Sequence, residues 1–310
     1  MRAAFFRALM DIASTDHRIT LIVGDLGFGV VEPFAKQFPA QFLNAGVAEQ
    51  NLTGVAAGMA LMGRVVFTYS IANFPTLRCL EQIRNDVCYH RVNVKIVALG
   101  GGFAYGALGV THHATEDLAV MRSLPEMTVV APGDPIEAEF ATRAIIAQPG
   151  PCYLRLGRSG EPVLHRSGVD FELGKAIQLR DGNDLTIIST GGMLSTALDT
   201  AAQLDVRGIS SRVLSMHTLK PLDEDAIANA ACETGAILTL EEHSRIGGLG
   251  GAVAEVLAEM EGRRVPFRRI GLPPGFAPLA GSQEYLRAAH GLGTDSVVQS
   301  VLNLLEIAPA

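Results

Sequence analysis

The sequence predicts an α/β protein built from two doubly wound domains, a parallel-sheet domain followed by a smaller one. Three observations predict it. Continuous apolar runs rich in β-branched residues alternate with helix-like stretches along the first half of the 310 residues. A polar, glycine-containing, aperiodic segment at 159–183 then breaks the pattern. A shorter strand–helix alternation follows it to the end. Continuous rather than alternating apolar runs are what strands covered on both faces require, and strands alternating with helices imply parallel pairing.

In chain order, 2–15 reads as an amphipathic helix and 19–23 (ITLIV) as the first strand. Residues 48–62 form a helix crowded with Gly and Ala, and 64–69 (RVVFTY) a second strand. A helix is expected over 75–90, then strands at 94–99 (VKIVAL), 127–131 and 152–156 (CYLRL). Asp134-Pro135-Ile136-Glu137 is a helix start: Asp caps, Pro fits the first helical position, and Glu stands where a capping box places it. The second domain is expected to hold strands at 184–190, 210–216 and 235–240 and helices at 193–204, 223–233, 248–261 and 294–305. The boundaries expected are 1–165 for the first domain, 166–182 for a linker and 183–310 for the second.

A net charge of −7 argues against a nucleic-acid partner or an anionic membrane surface, which attract clustered Lys and Arg. The uncharged run 96–111 is too short and too rich in glycine to span a bilayer. The N-terminus lacks the apolar core of a signal peptide. Cys79, Cys88, Cys152 and Cys232 are far apart and form no CxxC pair, so reduced thiols in a cytoplasmic protein are expected.

Three segments fall at predicted carboxyl ends of strands, where α/β sheets bind ligands. Val23-Gly24-Asp25-Leu26-Gly27 reads as a strand-to-helix turn. Asn44-Ala45-Gly46-Val47-Ala48-Glu49 opens the Gly/Ala-rich helix; Glu49 is the single carboxylate between Glu32 and Glu81. An acid in so apolar a stretch is pushed toward its neutral form unless paired, which makes Glu49 a candidate acid or base. A first-turn Glu favoured by the helix dipole is the alternative. The third segment is the glycine-rich 99–109, ending in Thr111-His112-His113. Its glycines make ordering costly, so a mobile active-site loop is expected.

In this order, these segments resemble the C-terminal half of a transketolase, over essentially the whole chain. DLGFG and FLNAGVAEQNLTGVAAGMALMG, followed by THHATEDLAVMRSLPEMTVVAPGDPIEAE and GPCYLRLGR, are similar to the pyrimidine-binding domain of thiamine-diphosphate enzymes. STGGM, LKPLD and LEEHSRIGGLGGAVAE resemble the transketolase C-terminal domain. The resemblance implies that Glu49 hydrogen-bonds N1′ of the cofactor's aminopyrimidine, favouring the imino form that takes up the thiazolium C2 proton. It implies an aromatic face on the pyrimidine, with Phe74 the first choice and Tyr69 the second. It makes His112 the histidine at the substrate carbonyl, with His113 secondary, and Arg158 an arginine holding the sugar phosphate.

The departures matter as much. The family's Gly-Asp-Gly motif with a downstream Asn, which binds Mg²⁺ and the diphosphate, has no counterpart here. The resemblance therefore implies a separate N-terminal subunit carrying the diphosphate and Mg²⁺ site, with no metal ligands on this chain. It also implies pairing through the pyrimidine domain into an α2β2 heterotetramer. Leu108 and Gly100 stand where transketolases place an Asp and a His that read the sugar, so the particular ketose and aldose stay open. The β-subunit of a 2-oxo acid dehydrogenase, or a deoxyxylulose-phosphate-synthase-like enzyme, shares the domain order and is the alternative.

Overall fold

Apolar strand sequences form sheets here because helices cover both faces. The computed structural model describes residues 1–166, 168–262 and 264–307; Ser167 of the expected linker, with Arg263 and 308–310 of the expected second domain, lie outside them. The first region contains α1 (Arg2–Ala13), β1 (Ile19–Val23), α2 (Glu32–Gln37), β2 (Phe42–Asn44), α3 (Glu49–Leu61) and β3 (Val65–Ile71). It continues with α4 (Leu80–Gln82), β4 (Val94–Leu99), α5 (Asp117–Ser123), β5 (Thr128–Val130), α6 (Pro135–Ala147) and β6 (Cys152–Leu156). The second holds β7 (Ile177–Arg180), β8 (Leu185–Ser189), α7 (Leu194–Asp205), β9 (Ser211–Ser215), β10 (Thr218–Lys220) and α8 (Glu224–Glu233). It ends with β11 (Ile237–Ser244), α9 (Leu249–Glu259), β12 (Phe267–Leu272), α10 (Gln283–Ala289) and α11 (Thr294–Ile307).

Every residue of β1, β4, β6 and β8 is buried. Each large aliphatic side chain so buried is worth roughly 1.5–3 kcal/mol relative to exposure. The seven-stranded sheet runs β10-β5-β6-β4-β3-β1-β2 and the five-stranded sheet β12-β11-β8-β9-β7. Both are parallel except at one edge, where β10 pairs antiparallel with β5 and β7 antiparallel with β9.

The expected parallel, doubly wound sheets are present, each with one antiparallel edge strand added. β10 comes from the second half of the sequence yet extends the first sheet. It is three residues long, too short to carry a periodic signal. β7 lies within the segment expected as linker.

The helix expected over 75–90 is instead a 3₁₀ turn (Leu77–Cys79), α4 and a π-helical stretch (Ile83–Cys88). Local side-chain bonds compete with a regular helix there. Thr76 Oγ1 donates to the Ala72 carbonyl at 2.5 Å, and Asn73 Nδ2 reaches the His113 carbonyl at 2.7 Å. Asp134 caps α6 as expected, accepting from the Glu137 amide at 2.8 Å.

The glycine-rich loop after β4 is pinned at several points. Gly102 bridges Ala114. Phe103 is fully buried, and its amide donates to Glu242 Oε1 at 3.2 Å. Between the two sheets, Arg155 of β6 pairs with Asp117 at 2.8 Å and donates to the Glu242 carbonyl at 3.1 Å. No helix among the described residues is long and apolar enough to cross a membrane.

Candidate functional site

In the first sheet the chain passes from β1 to β2 on one side and then to β3 and β4 on the other. Strand order therefore reverses at β1, which opens a crevice at the carboxyl ends of β1 and β3. Glu49 is the first residue of α3, which follows β2 at that same end. Gly24, just past β1, borders it: a Cβ there would lie in ordinary contact with Glu49 Cγ, at 3.8 Å.

Glu49 is 3% exposed. Its Oε2 accepts from Arg78 Nη1 at 2.8 Å, while Oε1 has no partner among the described residues. The carboxylate that the sequence left either paired or neutral is thus paired.

The Arg78 guanidinium also sits over the Phe74 ring, 4.6 Å from its centroid. Phe74 in turn meets His112 edge-on, with centroids 5.2 Å apart. Thr111 Oγ1 and His112 Nδ1 are 3.0 Å apart. Asn73 donates to the carbonyls of His113 and Thr111 at 2.7 and 3.3 Å, which ties the segment after β3 to the histidine turn. Burial first, and then neighbouring His113, holds the His112 imidazole below its ordinary pKa of 6.5. A neutral, half-buried ring is suited to exchange a proton with a substrate oxygen.

Arg158 is exposed and lies over the Tyr105 ring at 5.2 Å; Tyr105 is 6.4 Å from His112. Glu49, Arg78, Phe74, His112, Tyr105 and Arg158 form one continuous row.

Two expected residues stand outside it. Tyr69 is fully buried, with its ring stacked on Phe5 and edge-on to Phe6. It is a core residue with no face for a ligand, and the stacking assignment to it is corrected. His113 is buried too: its Nε2 bonds the Gly106 carbonyl at 3.2 Å and its ring packs edge-on to Phe103. It braces the glycine loop through Nε2, while its Nδ1 is buried with no partner among the described residues.

Sequence reasoning missed Arg78 and Tyr105. Arg78 stands four residues after Phe74, a spacing that brings side chains together on a helical turn, but the irregular backbone there hid it.

Comparison with known proteins agrees with this geometry. Residues 1–161 match the family "Transketolase, pyrimidine binding domain" and 174–297 match "Transketolase, C-terminal domain". An apulose-4-phosphate transketolase subunit of Phocaeicola vulgatus is 41% identical, covering 98% of this chain and 97% of the relative. The 6-deoxy-6-sulfo-D-fructose transketolase subunit SqwH of a Clostridium species is 39% identical, covering 99% and 94%. A solved structure described as a split gene transketolase, inactive beta4 tetramer, superposes with a TM-score of 0.89 at 39% identity, covering 99% of this chain and 98% of that one. The chain belongs to the transketolase family, as a polypeptide carrying its pyrimidine-binding and C-terminal domains.

Proposed function

We propose that this chain is one half of a two-polypeptide transketolase, which moves a two-carbon ketol unit from a ketose to an aldose with thiamine diphosphate as cofactor. The observation that carries this reading is Glu49: a buried carboxylate at the carboxyl ends of β1 and β3, with one oxygen held by Arg78 and the other open. Such an oxygen fits a ring N–H or ring nitrogen of an aminopyrimidine, and Phe74 beside it offers an apolar ring. When bound, the cofactor supplies the carbon nucleophile. Glu49 holds the shared proton at Oε1 in a site shielded from water, where such a bond is strongest. His112 exchanges a proton with the substrate oxygen, and Arg158 at the outer end of the row binds an anionic group on the sugar.

Among the described residues no group of three or more His, Cys, Asp or Glu could hold a metal ion. The Mg²⁺ and diphosphate site is assigned to the partner N-terminal subunit on the ground that the Gly-Asp-Gly motif with its downstream Asn has no counterpart in this sequence. Self-association falls to α3, whose Gly54 and Gly58 have nothing within 4 Å of a Cβ and whose Leu61 and Met62 are exposed. Small residues of this kind let two helices approach closely. An α2β2 assembly follows. The substrate is a ketose carrying a phosphate or similar anion, since the two transketolase subunits to which it is similar are named for apulose-4-phosphate and 6-deoxy-6-sulfo-D-fructose.

Reconstitution tests the reading. The chain, its partner, thiamine diphosphate and Mg²⁺ are expected to give ketol transfer from a ketose phosphate to an aldose. Decarboxylation of pyruvate without transfer would overturn it in favour of 2-oxo acid chemistry.

A further inference from the structure

The second sheet also reverses its strand order. From β8 the chain goes to β9 on one side and later returns as β11 on the other. The crevice at the carboxyl ends of β8 and β11 is the place where an α/β sheet holds a ligand. It is occupied by a cavity of about 180 Å³ lined by Gly191, Gly192 and Ser195 after β8, Glu242 of β11, Arg287 of α10, and Arg155 from the first sheet. Glu49, Phe74, His112 and Arg158 are not among its walls.

We propose that this cavity, whose wall includes Gly157 and Ser159 on either side of Arg158, binds a small oxyanion of the phosphate class through Arg155 and Arg287 and not through the residues assigned to ketol transfer. The helical run that starts with Gly191–Met193 and continues as α7 has no side-chain cap at either start. The Gly191 amide donates to the Ala131 carbonyl at 3.0 Å and the Leu194 amide to the Gly191 carbonyl, so what this run brings to the cavity is chiefly the positive end of its dipole.

Arg155 supplies the second, independent observation. Its side chain is 6% exposed. Nε donates to Asp117 Oδ2 at 2.8 Å, and Nη2 reaches the Ala114 and Glu242 carbonyls at 2.8 and 3.1 Å. Nη1 has no partner among the described residues, and it lies 3.7 Å from where a Cβ on Gly191 would stand. The side chain is buried, and this one cationic nitrogen is left open to the cavity beside the helix start.

Arg287 adds a third donor. Its Nη2 lies 3.1 Å from the Cβ position of Gly192, and its Nε is buried without a partner. The carboxylates nearby are already engaged or peripheral. Glu242 accepts from Phe103, Gln283 and Arg287. Glu161 is paired with the N-terminal amine at 2.8 Å, and Glu284 is exposed. Two guanidinium groups and the positive end of a helix dipole converging on one small space suit a tetrahedral oxyanion.

Calorimetric titration of the full chain with inorganic phosphate, at constant ionic strength with chloride as the control, tests this. One saturable site per chain is expected. Ser195→Glu, which places a tethered carboxylate at the helix start, and Arg287→Met are each expected to weaken it by at least about tenfold, the ratio for losing one charge-assisted hydrogen bond. Ser195→Glu keeps the fold, because a first-turn Glu suits the helix dipole, so it decides the matter should Arg287→Met not fold. Arg158→Ala is expected to leave the binding intact.

No saturable binding, unchanged affinity in Ser195→Glu, or loss confined to Arg158→Ala would overturn the proposal. Competition with glycerol phosphate separates the two sources of this chemistry. Displacement identifies a phosphate ester as the occupant and failure to displace identifies the free ion; either outcome supports the site.

Discussion

Glu49 and His112 sit in one row, and the different tasks proposed for them can be tested separately. Replacing Glu49 by Gln keeps size and hydrogen bonding but removes the exchangeable proton. The rate of ketol transfer by the reconstituted pair is expected to fall by roughly 10²–10⁴, the range of one acid–base group, with the thermal midpoint nearly unchanged. Full activity in this variant would remove Glu49 from the chemistry. His112 is held below 6.5 by burial and by His113, so it is neutral at pH 7 and becomes charged only in more acidic solution. The kcat/KM profile of the assembled enzyme is expected to show an acid limb below pH 6.5, with activity lost as the pH falls. His112→Asn is expected to lower kcat/KM and abolish that limb.

At the scale of elements, α6 depends on a small polar cluster. Asp134 is fully buried and accepts from the amides of Glu137, Leu164 and His165 at 2.8, 2.8 and 3.2 Å. Asp134→Ala loses a cap and strands two further amides, so denaturant unfolding is expected to show a loss of about 2 kcal/mol. Next to it, His165 Nε2 pairs with Glu137 Oε1 at 2.8 Å. Burial disfavours the charged ring, but the bond and charge of Glu137 outweigh it and raise the pKa above 6.5. A group raised on folding stabilises fully below its unfolded pKa and ceases to do so as pH rises through the folded value. The stability difference between the wild-type chain and His165→Asn is therefore expected to be largest below about pH 6.5 and to narrow above it. A difference that is flat with pH would show that His165 stays neutral.

Over the whole molecule, the face of α3 bearing Gly54 and Gly58 is the surface proposed for self-association. Gly54 and Gly58 cost helix stability, roughly 1 kcal/mol each relative to Ala, and neither is crowded within the chain. Their replacement by Leu is expected to raise or preserve the thermal midpoint of the single chain, while sedimentation shows weakened self-association. If both glycines serve only the chain's own fold, self-association will not change.

The sequence alone determined the central strands β1, β3, β4, β5, β6, β8, β9 and β11, because burial on both faces demands continuous β-branched runs that can be read directly. It also marked Glu49 and His112, since a lone acid in an apolar stretch and a histidine after a glycine loop are local signals. Tertiary structure decided what no local pattern encodes. Tyr69 and Phe74 are five residues apart and both aromatic, yet one packs inside against Phe5 and the other lies half-buried, edge-on to His112. β10 crosses to the first sheet, and Arg78 reaches a carboxylate 29 residues away. Arg155, Arg287 and the start of α7 meet only where the two sheets abut. Side-chain direction and long-range pairing depend on the packing of the whole chain, and that packing is a property of three-dimensional space that spacing along the sequence does not carry.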